Sequence, residues 1–415
     1  MISAAAPLVS VRATSSARVT RSARSLEAIL SLGIAGLLTN QMPRVSVLVV
    51  LASALVAHRL LITRRIPWRV FTPRLLWLFN AWALLSVSWG GLSRPPIVLA
   101  LYIAGGTCAV GLMRVVPENR LSVLIASCKL ALAGVLLGFF VASAPFIGAA
   151  DTQMVGWRGA FPTKNNLGFV ACQCFVILLT ATCLQPPRQR LWSRFGWIGI
   201  SIGLLGVSGS ASAIAASVAA VTIFALRAVH LGSSSKRRSA AFAISCAGGL
   251  LWCLSSQVLL SSIFGLLGRS SNLTGRPALW SAIIDEIKLK PYIGYGLEHP
   301  WRGNGFRFVK SAPESVTLDI WSKVGWTPPS AHNSFVDVWL QLGLVGLVLF
   351  VLLIGGALKR GLEAGRGEFS MTVGIYGAVL AIYSLSESVY FSSWGVFSLS
   401  LGVIVALGRR SRTLL

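Results

Sequence analysis

The chain has 415 residues, of which 54% are hydrophobic and only 12% charged, and its mean hydropathy is +0.73. Its net charge is nevertheless +25, from 37 Lys and Arg against 12 Asp and Glu. Soluble domains carry about 25% charged residues, so the composition excludes a water-soluble nucleic-acid binder, and so much apolar surface also excludes disorder.

A membrane-crossing helix needs roughly 20 mostly apolar residues. Residues 1–25 form a basic tail rich in Arg and Ser, without an acid. A transit peptide has that composition too, but a long series of apolar segments follows, which favours a cytoplasmic tail. No cleavable signal peptide is expected. Nine spans are predicted within 26–265, at 26–40, 45–61, 75–89, 97–113, 121–143, 167–184, 196–209, 211–231 and 240–265. A polar stretch at 266–334 reads as one long outer loop. Three spans follow within 335–408, at 335–357, 371–386 and 387–408, the last two separated at Ser384–Ser388 by a turn or a break. Residues 409–415 close the chain as a second cytoplasmic tail. The predicted fold class is all-α, a polytopic transmembrane bundle of about twelve spans.

Short cytoplasmic loops collect Lys and Arg. With the N-terminus inside, the cytoplasmic side holds 24 basic residues against four acids, +20, and the outer side holds 12 against eight, +4. Lys129, inside a span, supplies the remaining charge and is expected to snorkel to a span end. The charge is thus chiefly a topology signal, and no nucleic-acid partner is expected.

Cys108, Cys128, Cys172, Cys174, Cys183, Cys246 and Cys253 all fall in predicted spans. A disulfide framework would put them in the outer loop, so they read as small packing residues. There is no Walker loop, dinucleotide fingerprint or His-Glu-x-x-His motif, which lowers the prospect of ATP-driven or zinc chemistry.

The outer loop is the most informative segment. Thr274-Gly275-Arg276-Pro277 reads as a helix start. Leu279, Trp280, Ile283, Ile284 and Ile287 form one apolar face that ends before Pro291, a pattern suited to the membrane surface. Gly294-Tyr295-Gly296 reads as a turn, and His332 falls at the boundary where the next span begins. Of four histidines, His58 and His230 are predicted cytoplasmic, which leaves His299 and His332 as candidates for an outward-facing base. Asp285 and Glu286 are adjacent and point to different helix faces. With no paired-carboxylate metal motif in the loop, neither a metal nor another cofactor is expected.

Several blocks resemble the O-antigen ligase and Wzy-type polysaccharide polymerase superfamily, and within it the ExoQ-like exopolysaccharide polymerases. They are Leu273-Thr274-Gly275-Arg276, Trp280, Lys290-Pro291, Gly294-Tyr295-Gly296, Ala331-His332-Asn333-Ser334, Asp337 and Leu342-Gly343-Leu344-Val345-Gly346. Trp157-Arg158-Gly159-Ala160-Phe161, Lys164-Asn165-Asn166-Leu167-Gly168, Ser208-Gly209-Ser210 and Ser386-Glu387-Ser388 fit as well. The resemblance covers roughly 150–400. It departs at Ala211, where many relatives carry Arg, and at Thr163, where many carry His.

The resemblance implies a GT-C-like fold in the bacterial inner membrane, with both termini cytoplasmic and the active site facing the periplasm. It implies a metal-independent, inverting glycosyltransferase that moves a glycan from undecaprenyl diphosphate to an acceptor hydroxyl. The partners would be that lipid-linked oligosaccharide, an acceptor glycan or glycolipid, the bilayer and, as an option, other polysaccharide export proteins. Because a diphosphate is a good leaving group, the protein must supply positioning, charge neutralisation and proton removal. Arg276, Arg158 and Lys164 are the expected diphosphate ligands, Arg for its planar donor fork. His332 is the expected general base, an imidazole being mostly neutral at pH 7. Asn333, Glu298, Asp337 and Glu387 are weaker candidates for orienting it or binding sugar. Glu387, at membrane depth, should have a partner, with Arg158 or Arg276 the first choices. Trp157, Trp280 and Trp301 suit sugar stacking or, by default, interfacial anchoring. Three readings remain open: a polymerase, a ligase acting on lipid A core, and, from another class, a transporter or flippase. A scaffold for an export complex is a further alternative.

Overall fold

The computed structural model describes residues 74–90, 120–141, 157–159, 161, 163–184, 191–230, 275–297, 330–363 and 368–388. Every regular element among them is a helix: α1 (Arg74–Leu85), α2 (Val87–Gly90), α3 (Arg120–Val141), α4 (Lys164–Leu184), α5 (Leu191–Ser208), α6 (Ala211–His230), α7 (Gly275–Leu289), α8 (Ser334–Glu363) and α9 (Glu368–Ser384). Within this set, Leu121–Gly138, Lys164–Leu184 and Ser334–Gly356 are long and apolar enough to cross a membrane, and Ala211–Leu226 and Gly374–Ser384 are shorter apolar stretches. The expected spans at 26–40, 45–61, 97–113 and 240–265, nearly all of 387–408, and both tails lie outside the described residues.

The centre of the bundle is α4, which packs against α3, α5, α6 and α9. Its residues from Leu167 to Thr182 are all buried, as expected of a helix that is apolar on every face. Its buried polar residues include Gln173, which accepts a hydrogen bond from the Tyr376 hydroxyl of α9. Cys128, Cys172 and Cys174 are buried free thiols, in keeping with a packing role. Lys129 sits well inside α3, and its Nζ lies 3.2 Å from Ser193 Oγ near the start of α5. It therefore reaches a neighbouring helix as well as a span end.

The second feature of the bundle is a break in α8. Gly343 adopts φ 68° and ψ −171°, which interrupts the helical hydrogen bonding. Backbone groups freed at membrane depth cost several kcal/mol each unless the protein supplies partners. Here the segment after α7 supplies them. Leu344 N donates to Pro291 O at 2.8 Å, Val345 N to Tyr292 O at 3.3 Å, Tyr295 N to Leu340 O at 3.0 Å and Gly296 N to Gln341 O at 2.8 Å. The indole of Trp82 on α1 donates to Leu342 O at 2.9 Å. The fit requires glycine: a Cβ on Gly343 would collide with the Tyr292 carbonyl, and one on Gly294 would lie 2.5 Å from Gln341 O. On its other side the segment meets the turn between α1 and α2, where Ser86 Oγ accepts from Leu297 N at 3.0 Å.

The structure changes the expectation for α7. Its apolar face is covered by protein: Ile283 and Ile287 pack with Ala331 and Leu340, flanked by Leu279, Val336 and Trp339. Ile284 and Leu289 point outward. The expected contrast between the adjacent acids holds, since Asp285 is exposed and paired with Lys288 whereas Glu286 is buried and meets the Tyr295 hydroxyl at 3.2 Å.

Candidate functional site

The motif blocks meet at one end of the bundle, where α4, α6 and α8 begin and α5 and α9 finish. Trp157 N donates to Val207 O at 2.8 Å, which ties the segment ahead of α4 to the last turn of α5. Thr163 caps α4: its carbonyl and hydroxyl both meet Asn166 N. Thr163, a departure from many relatives, therefore has a structural use as an N-cap. Gly168 of α4 faces the Ser208–Ala213 corner so closely that a Cβ would lie 2.6 Å from that of Ser210. Three helix N-termini point positive partial charge at this end.

His332 stands two residues ahead of α8 with φ 50°, a left-handed conformation uncommon for a residue with a side chain. Its neighbours impose that conformation. Asn333 caps α8, its Oδ1 accepting from Phe335 N at 2.9 Å and Val336 N at 3.2 Å. Asn333 also binds the turn after α9, through its own N to Ser388 Oγ and its Nδ2 to Leu385 O. On the far side, the Trp280 indole of α7 donates to Ala331 O at 2.8 Å. Both functional groups of the Asn333 amide are thus engaged in holding the His332 turn.

The imidazole Nδ1 lies 3.1 Å from Glu387 Oε2. Both side chains are largely enclosed, 20% and 11% exposed. An ionised carboxylate only accepts, so opposite an ionised Glu387 the proton belongs on Nδ1 and the lone pair on Nε2. The second oxygen, Glu387 Oε1, accepts from Asn165 Nδ2 of α4 at 2.8 Å. The carbonyl of Asn165 accepts from the Tyr383 hydroxyl at 3.0 Å, and the Tyr383 ring stacks on Phe169 with centroids 4.5 Å apart. Glu387 follows α9 in a turn closed by its N–H on Tyr383 O, and its own carbonyl accepts from Ser334 Oγ at 2.8 Å.

His332, Asn333 and Glu387, expected from sequence, are therefore brought together. Lys164 is the residue beside Asn165, and Arg158 lies half-buried in the turn before α4, its carbonyl accepting from Phe161 N. Arg276 lies in the first turn of α7, with its side chain outside the described set. Asp337 is buried in α8 and accepts from Gln341 Nε2. Glu298, His299 and Trp301 fall outside the described residues. Ala211 is exposed at the start of α6. Glu387 meets His332 and Asn165; the side chain of Arg276, one of the two arginines expected beside it, lies outside the described residues. Sequence reasoning misses Asn165 and Tyr383 as site residues; a phenol one helical turn before a membrane-depth carboxylate is the available signal. Among the described residues, no group of three His, Cys, Asp or Glu could hold a metal ion.

These features describe an all-helical membrane protein, and residues 167–351 match the O-antigen ligase family model. That segment includes α4 from Leu167 onward, α5, α6, α7, His332 and α8 as far as Val351. The chain is similar to the exopolysaccharide production protein ExoQ of Rhizobium meliloti (strain 1021), 26% identical over 325 residues, covering 75% of this chain and 72% of that protein. It is also similar to two Rickettsia proteins named as candidate polysaccharide ligases. That of R. conorii is 26% identical over 127 residues, 31% of this chain and 29% of the relative. That of R. felis is 24% identical over the same length and shares.

Proposed function

We propose that the protein transfers a glycan from undecaprenyl diphosphate to an acceptor sugar hydroxyl at the periplasmic face of the inner membrane, and that it polymerises exopolysaccharide or O-antigen repeat units. The observation that carries this reading is the Nδ1 contact of His332 with Glu387, inside and next to the segment that matches the O-antigen ligase model. With Glu387 holding Nδ1–H, the Nε2 lone pair takes the acceptor hydroxyl's proton as that oxygen attacks the anomeric carbon. The diphosphate leaves with its charge met by Arg158, Lys164 and Arg276. Attack from the face opposite the diphosphate inverts the anomeric centre, and no metal enters the scheme. Chain similarity to ExoQ over 75% of the length favours polymerisation. A second reading, ligation to lipid A core, is supported by the description of the matched family. The same proposal includes twelve spans, cytoplasmic termini and a periplasmic loop at 266–334, supported by the +20 and +4 charge division.

The test is gene deletion and complementation with wild type or His332→Ala, followed by glycan sizing and a membrane immunoblot. Single repeats without long chains on deletion indicate a polymerase; long lipid-linked chains left unattached indicate a ligase. Normal product length and yield from membrane-inserted His332→Ala would overturn the base assignment.

A further inference from the structure

We infer that Asn165 is a positioning residue that holds Glu387 in the one orientation that fixes the His332 tautomer. The inference rests on the proposed role of His332 as base. Glu387 presents two carboxylate oxygens to two partners on different elements, Oε1 to Asn165 Nδ2 at 2.8 Å and Oε2 to His332 Nδ1 at 3.1 Å. A carboxylate gripped at one oxygen cannot turn about its Cγ–Cδ bond without losing that grip, so the amide sets where the other oxygen points. Asn165 is itself fixed, because Tyr383 donates to its carbonyl and Tyr383 is anchored by its stack on Phe169. The chain of support therefore runs from the bundle core to the imidazole: Phe169, Tyr383, Asn165, Glu387, His332.

The amide also guards the tautomer. Glu387 is nearly enclosed, and with Oε1 held by Asn165 its Oε2 stays on Nδ1. Without the Asn165 donor the carboxylate can swing away from Nδ1, and the imidazole can then carry its proton on Nε2, which blocks the atom that must accept from the acceptor hydroxyl. Aspartate at position 165 acts differently from alanine. Two facing carboxyls share one proton at low pH, and the shared proton preserves the grip on Glu387. Once that proton leaves, like charges repel and the grip is lost. Among the described residues, the titratable and charged groups on the surrounding elements include Arg158, Lys164, Tyr383, Asp337 and His332, and all are common to wild type and variant.

The experiment uses the full chain in membranes that contain the host's own undecaprenyl-diphosphate-linked repeat unit. Chain growth is measured against pH for wild type, Asn165→Asp, Asn165→Ala and Tyr383→Phe. Asn165→Ala is expected to slow growth about tenfold to a hundredfold, the range for losing an outer hydrogen-bond partner of a functional histidine. Asn165→Asp is expected near wild type at low pH, with its rate relative to wild type falling as pH rises. Tyr383→Phe should act in the same direction as alanine and more weakly. A constant ratio of Asn165→Asp to wild type across pH would overturn the inference, because a merely structural fault has no such signature. Nitrogen NMR of 15N-histidine protein, with His332 assigned by its loss in His332→Gln, gives a substrate-free second reading. Wild type should show Nδ1–H and Asn165→Ala a tautomer mixture; an unchanged Nδ1–H tautomer would overturn the inference. Loss of growth in His332→Ala together with a wild-type pH ratio for Asn165→Asp defeats this inference alone. Full growth in His332→Ala defeats the reading beneath it.

Discussion

Replacing Gly343 by alanine should unseat the segment that fills the break in α8. Two costs combine. A residue with a Cβ at φ 68° and ψ −171° pays about 1–3 kcal/mol, because that region is essentially restricted to glycine. The new Cβ would also fall inside the van der Waals radii of Tyr292 C and O, backbone atoms that cannot rotate aside. The segment must therefore retreat, which strips Leu344 N and Val345 N of Pro291 O and Tyr292 O. Each buried donor so exposed costs about 1–3 kcal/mol, and the sum is at least about 3 kcal/mol. Gly355, in the same helix, has no neighbouring atom within 4 Å of the place a Cβ would take, so Gly355→Ala should shift stability by no more than about 1 kcal/mol. Thermal melting in detergent, read by the monodisperse fraction on size exclusion, should show Gly343→Ala several degrees below both wild type and Gly355→Ala. Coincident melting of all three would refute the claim that the break and its filling segment hold the fold.

Three further outcomes follow from local geometry. Burial and then the neighbouring Glu286 push the Tyr295 phenol up to about 12. A phenol raised above its unfolded value of about 10 stabilises the fold fully below that pH and loses its contribution as pH rises through about 12, so wild type should lose stability over that window by more than Tyr295→Phe does in pH-dependent melting. Trp280→Phe removes the indole bond to Ala331 O and should cost about 0.5–1.5 kcal/mol in melting and slow glycan transfer by loosening the His332 turn. Thr163→Ala removes the hydroxyl that meets Asn166 N and should destabilise by about 1 kcal/mol, whereas Thr163→Ser should melt with wild type.

Much of the fold is legible in the sequence because hydropathy and helix length follow from bilayer thickness. The spans expected at 121–143, 211–231 and 371–386 meet α3, α6 and α9 with ends shifted by a few residues. The break at Gly343 is hidden, because Leu342-Gly343-Leu344 keeps its hydropathy through the interruption and its partners come from afar, from the segment at 291–296 some fifty residues earlier and from Trp82. The face of α7 is apolar as its pattern requires, but a period of 3.6 does not say whether lipid or protein will cover it. At the site, His332 and Glu387 are each visible as polar groups at a membrane boundary. Their contact spans 55 residues and that of Glu387 with Asn165 spans 222, separations that no local pattern reveals.

The filling of the α8 break sets an order of assembly. Trp82 finds its acceptor on a residue 260 positions later, and Ser86 receives its donor 211 positions later. At a synthesis rate of about 5–20 residues per second, the first interval lasts roughly 13–52 s. Throughout that time α1 resides in or beside the bilayer with an indole N–H whose final acceptor does not yet exist, and with a Ser86 hydroxyl that already donates to Ala83 O but still awaits the Leu297 donor. Insertion of the early helices and completion of the bundle are therefore separate events, and the nascent protein depends on the insertion machinery, water or lipid headgroups to serve those groups until the last third of the chain arrives.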